Sequence, residues 1–311
     1  KTCMRFYTTA DNYATIRNRG DAMLEQKITQ LAYAMRQADY ILIGAGAGLS
    51  AAAGLRFADE VLFAKRYPYW AARGRHSEYH MFSFRDWSDE QQWAYMADHI
   101  HRVCYETPPL PLYQSLKIIL QEKLAGKDYM ILTSNVDRQF ARNGYPLETV
   151  FEYQGNYENL CCSQQCTDKL WPFYPIMQQM LQNTIQETAS IPAALVPHCP
   201  FCGAPLRLAF RDYPSYAFEK ANYQNWLKQS EKGMLCIIEI GVGFNSPGVI
   251  RVPFERITQE RRNVTFFRIT VDYPNSEEEI AYPEIPKPIA DKSCSINADA
   301  ALVIEKLLEI L

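Results

Sequence analysis

Apolar residues recur at two periods along this chain, and their alternation already predicts an architecture. Over residues 26–38, Ile28, Leu31, Ala32 and Met35 fall three and four positions apart, the spacing of one helical face. The run Tyr40-Ile41-Leu42-Ile43 follows, too short for a helix and closed by glycine, as expected of a strand buried on both faces. Residues 129–133, 149–153, 235–240 and 264–269 repeat that character. Helical spacing separates several of these runs, notably over 113–124. It returns over 299–311, where Ala300, Ile304, Leu307 and Leu308 share one side. Strands alternating with helices predict an α/β fold built on a Rossmann-like, doubly wound parallel sheet.

Two stretches break the rhythm. Residues 57–109 are rich in aromatics and arginine without a clear strand, which predicts a helical insertion, and 154–211 hold prolines and a cluster of cysteines. The expected division is a Rossmann domain of 1–56, 110–153 and 212–311. A smaller helical and zinc-binding lobe of 57–109 and 154–211 is expected to lie over the sheet, leaving a cleft between.

Composition narrows the class. With 311 residues, 48% hydrophobic and 22% charged, the chain reads as a soluble globular protein. Its net charge of −3 gives no basic field for nucleic acid. Arg73-Gly74-Arg75-His76, close to Tyr67, Tyr69 and Trp70, therefore reads as a solvated lid that contacts substrate or phosphates. No uninterrupted apolar run approaches the roughly 20 residues that cross a bilayer. Residues 1–21 lack the apolar centre of a signal peptide, so the cytoplasm is the expected compartment.

Of the nine cysteines, Cys3, Cys104, Cys236 and Cys294 are scattered and are expected to be free thiols. The rest cluster as Cys161, Cys162 and Cys166, then Cys199 and Cys202, which points to metal rather than disulfides. Cys199-x-x-Cys202 has the spacing of a zinc knuckle, and Cys166 pairs with either Cys162 or Cys161 in the other half. A four-thiolate site closes the coordination sphere, so its zinc is structural; metal-free reduced knuckles are the alternative. His198 is expected to lie beside the cluster rather than in it. His99 and His101, two apart on a helix, face different sides and do not share a metal.

After the first strand comes Gly44-Ala45-Gly46-Ala47-Gly48-Leu49-Ser50, then an alanine run to Gly54. Glycines in a strand-to-helix turn let backbone N–H groups approach a pyrophosphate. A tight connection that binds nothing has the same composition. The acidic ribose-binding residue expected about 20 residues onward is not compelling, so an ordinary dehydrogenase fits poorly.

Several motifs in fixed order resemble one family. Gly46 to Leu55 looks like the first motif of the sirtuins, and Thr133-Ser134-Asn135-Val136-Asp137 is similar to the second. Glu152-Tyr153-Gln154-Gly155-Asn156 resembles the third, where sirtuins carry their catalytic histidine. Cys199 to Arg207 looks like the second zinc knuckle with its following strand. Gly241-Val242-Gly243 resembles the later nucleotide loop, and 269–272 the strand end that contacts ribose. The resemblance runs from about residue 38 to the C-terminus.

The departures resemble a subgroup. Arg56-Phe57-Ala58-Asp59 stands where sirtuins have Pro-Asp-Phe-Arg, and Gln154 stands in place of histidine. Both are similar to the microbial, macrodomain-linked class M sirtuins, which are ADP-ribosyltransferases acting on a lipoyl-carrier protein of the glycine-cleavage H type. The resemblance implies NAD⁺ as a consumed substrate and a structural zinc held by Cys162, Cys166, Cys199 and Cys202. It implies dinucleotide binding by Gly46, Ala47, Gly48, Ser50, Arg56, Asn135, Asp137, Gly241, Val242, Gly243, Asp272 and Ala298. Asn135 would hold the ribose or a catalytic water, Asp137 the nicotinamide carboxamide, and Gln154 the ribose hydroxyls. A macrodomain protein would reverse the modification.

Glutamine hydrogen-bonds but takes up no proton near neutral pH. Losing a general base costs about 10²–10⁴-fold, which disfavours deacylation. An acceptor carboxylate attacks without being deprotonated. The expectation is mono-ADP-ribosylation of an acidic side chain. The alternatives are a deacylase with a compensating base, or a non-catalytic NAD or ADP-ribose sensor.

Overall fold

The computed structural model describes residues 9–212, 215–243, 247–271 and 284–311. Its strands are β1 (Tyr40–Ala45), β2 (Asp128–Thr133), β3 (Val150–Glu152), β4 (Asn156–Cys162), β5 (Trp171–Pro172), β6 (Leu206–Phe210), β7 (Leu235–Ile240), β8 (Val264–Thr270) and β9 (Ser293–Asn297). Six of them form one sheet in the order β3-β2-β1-β7-β8-β9. Every pairing in it is parallel. The expected doubly wound sheet is the one observed.

The order carries a consequence for function. From β1 the chain crosses to β2 on one side, and β7 lies on the other, so the connections diverge at the carboxyl ends of β1 and β7. Such a switch point opens a crevice where α/β sheets bind ligands. The edge strand β9 escapes the apolar pattern because only Ile296 of Ser-Cys-Ser-Ile-Asn is buried.

The first helix is longer than its apolar spacing suggests, running Thr9–Gln37, and Ile28, Leu31, Ala32 and Met35 are all buried. The helix over 113–124 is Pro111–Ile118, continued by a wider π turn at Ile119–Lys123. At the end of the chain, Asp299 caps Ala300–Ile310 by accepting from the Ala301 N–H at 2.7 Å.

Residues 57–109 are helical throughout their regular parts, from Glu60–Arg66 to Asp89–His101. They carry a small core of their own from Phe63, Tyr67, Trp70, Met81 and Tyr95. Residues 154–211 hold the antiparallel sheet β5-β4-β6 and the helix Phe173–Gln182. Trp93 meets Phe173 edge to face at 5.6 Å, joining the two insertions. Both rings belong to the apolar cluster that also packs β1 and Ala300–Ile310. Among the described residues no helix is long and apolar enough to cross a membrane.

Candidate active site

The two glycine turns meet at the switch point. The Gly46 N–H donates to Ile240 O at 3.0 Å and the Gly48 N–H to Gly241 O at 2.9 Å. A Cβ on Gly46 would lie 2.5 Å from Gly241 O, and one on Gly48 would lie 2.6 Å from Gly241 Cα. Gly241 itself has φ +60° and would place a Cβ 2.4 Å from Leu49 N. These glycines are therefore required by backbone packed on backbone, a reason that spacing alone does not reveal. A Cβ on Gly243 would meet no atom within 4 Å, so space does not demand glycine there.

Behind this contact lies a buried polar knot. Asn135 Nδ2 donates to Gly46 O and to Ser50 Oγ, each at 3.0 Å. Ser50 Oγ lies 2.6 Å from Asp137 Oδ2 and 2.9 Å from the Tyr113 hydroxyl. Its single proton goes to the carboxylate, so Tyr113 donates to Ser50. Asn135 has then committed both amide hydrogens, and its carbonyl oxygen is the polar group left for a ligand. Asp137 Oδ1 accepts the Gln139 N–H at 3.1 Å, so Asp137 shapes its own turn. Burial raises its pKa although Ser50 and the Gln139 N–H oppose the shift.

Gln154 comes off the neighbouring strand end. The Tyr153 N–H donates to Thr133 O at 3.0 Å, which hangs the end of β3 on the strand that leads to Asn135. Gln154 is half-buried in the turn between β3 and β4. Gly155 makes that turn possible, with φ +77° and a Cβ position 2.0 Å from Phe210 O. Two residues that no sequence motif marks frame it. The Arg211 guanidinium lies over the Tyr153 ring at 5.1 Å. Arg138, at φ 60°, binds Glu152 at 2.9 Å and Glu158 at 2.6 Å, tying the Asn135–Asp137 turn to β3 and β4.

Of the other expected residues, the Ala298 N–H donates to Thr270 O at 3.1 Å, at the end of β8. Ala47 and Val242 flank the glycine contact. The structure does not bring Arg56 into the knot, since it is exposed. Asp272 lies outside the described residues.

An ion network that no sequence motif announces supports the second turn. Arg251 Nη2 donates to Val242 O at 2.7 Å and to Glu239 at 3.1 Å. Glu239 also binds Arg268 at 2.7 Å, and Arg268 reaches Glu255 at 2.6 Å. Glu239, Arg251 and Arg268 are all buried.

Cys162, Cys166, Cys199 and Cys202 bring their sulfurs within 4.8 Å of one another. Cys162 and Cys202 are 3.6 Å apart, and Cys166 and Cys199 are 3.5 Å apart. A disulfide needs about 2.05 Å. Thiolates about 2.3 Å from a tetrahedral zinc lie about 3.8 Å from each other, so the four fit that metal. The choice between neighbours is settled by strand geometry, because Cys161 and Cys162 point to opposite faces of β4. Cys161 instead faces Asp212, at 4.0 Å, and the His198 ring is engaged with Val196 O at 2.8 Å. We expect the purified protein to carry one zinc per chain by elemental analysis, and Cys202→Ser to lose most of it. Full metal content in that variant would contradict the four-thiolate site.

No family model matches the chain. It is 34% identical over 231 residues to a protein of Fusarium oxysporum f. sp. cubense named "Probable bifunctional ADP-ribose hydrolase/ADP-ribosyltransferase", covering 71% of this chain. The chain spans only 38% of that relative's length. It is 27% identical over 302 residues to a "Protein ADP-ribosyltransferase" of Staphylococcus aureus, covering 94% of this chain and 91% of that protein. Among solved structures, a Sir2 homologue in complex with NAD superposes with a TM-score of 0.55 at 18% identity, over 91% of this chain and 93% of that one. The chain thus has the sirtuin fold, and its sequence relates it to proteins named as ADP-ribosyltransferases.

Proposed function

We propose that this chain is an NAD-dependent protein mono-ADP-ribosyltransferase. The observation that carries the reading is the Ser50-Asn135-Asp137 knot at the sheet's switch point, with an amide, Gln154, at the neighbouring strand end. The relatives' names and the NAD complex of the same fold support it.

In this reading NAD⁺ is a substrate lying across the carboxyl ends of β1 and β7. Asp137 accepts from the nicotinamide carboxamide, Asn135 holds the ribose or a catalytic water, and Gln154 orients the ribose hydroxyls. Nicotinamide leaves with the electrons of the glycosidic bond, and a carboxylate oxygen of the acceptor forms the new bond to the anomeric carbon. No proton moves in that exchange, so a residue that takes up no proton suffices at Gln154. The four cysteines, with zinc, brace the lobe and take no part in chemistry. The acceptor we favour is an acidic side chain of a lipoyl-carrier protein, with a macrodomain hydrolase reversing the modification.

The test is NAD⁺ labelled in its phosphates, incubated with the protein and a lipoylated carrier protein. We expect label on the carrier, released by hydroxylamine as an ester should be, with nicotinamide formed in equal amount. Nicotinamide release with an acylated peptide and acyl-ADP-ribose as product would establish the deacylase instead. Binding of NAD⁺ without any nicotinamide release would leave a sensor.

A further inference from the structure

Arg142 carries a charge that no carboxylate answers among the described residues. Its guanidinium donates to the carbonyls of Cys104 at 2.6 Å, Tyr105 at 3.0 Å and Thr107. A guanidinium has five N–H donors. The Nε hydrogen is buried without a partner, and one Nη1 hydrogen takes no protein acceptor. Its neighbour Arg138 is instead paired with Glu152 at 2.9 Å and Glu158 at 2.6 Å. A partly buried cation held only by neutral dipoles attracts an anion.

The guanidinium lines a cavity of about 240 Å³ whose walls come from three segments adjoining the candidate site. Arg138 and Arg142 follow Asp137 in the chain, and Tyr157 and Glu158 of β4 follow Gln154. Cys104 and Tyr105 lie in the π turn Arg102–Glu106, where the Val103 carbonyl accepts from Gln139 Nε2 at 2.8 Å. Small-molecule sites measure about 300–1,000 Å³, so this cavity suits a side chain rather than a cofactor. An aromatic lip borders it. Tyr105 packs on Tyr174, which is 44% exposed, at 4.6 Å, and the His101 ring stacks against both. Tyrosine and arginine together are the residue types that anchor protein interfaces.

Resting on the transferase reading, we propose that this cavity docks an acidic side chain of the acceptor protein, one that flanks the carboxylate to be modified. Glu158 is the single acid in the lining, and its side chain is 46% exposed. In the free protein it occupies Arg138; when the acceptor binds, it turns to solvent and the incoming carboxylate takes its place. The exchange keeps Arg138 paired and gives Arg142 its first carboxylate. The rest of the chain offers an acidic partner no attraction, since its net charge is −3. The two guanidiniums supply that attraction locally, and the aromatic lip supplies contact area around it.

The probe is fluorescein-labelled tetraglutamate, read by anisotropy without NAD⁺, with tetraglutamine as the neutral control. We expect the protein to bind tetraglutamate and not tetraglutamine. Glu158→Gln should tighten binding about two- to fivefold, since an exposed ion pair no longer competes. Glu260→Gln makes the same change of charge at an exposed residue outside the cavity and should bind as the parent does. Arg142→Gln should weaken binding about tenfold, with thermal melting to show that the variant is folded. Equal gains from Glu158→Gln and Glu260→Gln would reduce the effect to overall charge and overturn the proposal. So would an absence of binding, or displacement of the peptide by an equal concentration of inorganic phosphate, which would mark a general anion site. In the transfer assay Glu158→Gln should lower KM for the acceptor and leave kcat in place. Peptide binding needs no NAD⁺, so a protein that binds tetraglutamate yet releases no nicotinamide loses the transferase reading alone. One that transfers ADP-ribose while Glu158→Gln behaves as the parent loses only the docking site.

Discussion

Glu239→Ala should destabilise the protein by about 3–5 kcal/mol, the largest loss expected of a single substitution here, because it strands buried arginine charge. Glu239 binds Arg268 at 2.7 Å and Arg251 at 3.1 Å. Arg268 is 1% exposed and Arg251 is 3% exposed, so each guanidinium loses a buried carboxylate partner. Urea denaturation measures the loss as a shift of the midpoint at constant slope. Removing a charge from each side should recover much of it, so Glu239→Leu with Arg268→Met is expected to be more stable than Glu239→Ala. A second effect follows from the Arg251 bond to Val242 O. Without Glu239 the guanidinium that holds the Val242 carbonyl loses one of its anchors, and NAD⁺ affinity is expected to fall even at temperatures where the variant is folded. A Glu239→Ala protein as stable as the parent would show that the network contributes no net stability.

That network also shows where the sequence can and cannot be read. The runs over 235–240 and 264–269 are legible as buried strands by length and β-branched content, and each contains one charge, of opposite sign. What links them is register: β7 and β8 align Glu239 with Arg268 as direct partners. Register is a non-local property, and no spacing within either run encodes it. The cysteines show the converse. Their residue types and the two-residue gap announce a zinc knuckle, and the ambiguity between Cys161 and Cys162 disappears once β4 exists and its side chains alternate. Gly46, Gly48 and Gly241 stand out in the sequence as nucleotide-loop glycines, while the steric need for them comes from the mutual contact of two turns nearly 200 residues apart in sequence. For His99 the sequence offers only half of a metal site that two-residue spacing forbids. In the structure His99 Nδ1 lies 2.6 Å from Glu78 Oε2, and Glu78 is on another helix, so nothing local marks the pair.

The other large effect concerns the amide where a base is expected. Gln154→Ala should lower the rate of ADP-ribose transfer by about 10²-fold, the usual cost of removing one well-placed hydrogen-bonding group from a site where charge develops. NAD⁺ affinity should change little, because the hydrogen bonds that hold the Ser50-Asn135-Asp137 knot are made by Ser50, Tyr113, Asn135 and Asp137 themselves and not by the Gln154 side chain. The pH dependence sharpens the expectation. With glutamine in place, no group at this position titrates, so kcat for transfer to a carboxylate should stay level between about pH 6 and 8. Gln154→His introduces a group with an ordinary value near 6.5, and kcat should then acquire a limb in that range. A parent enzyme whose kcat already falls steeply below about pH 7 would mean that another residue serves as the base, and the deacylase reading would then regain its footing.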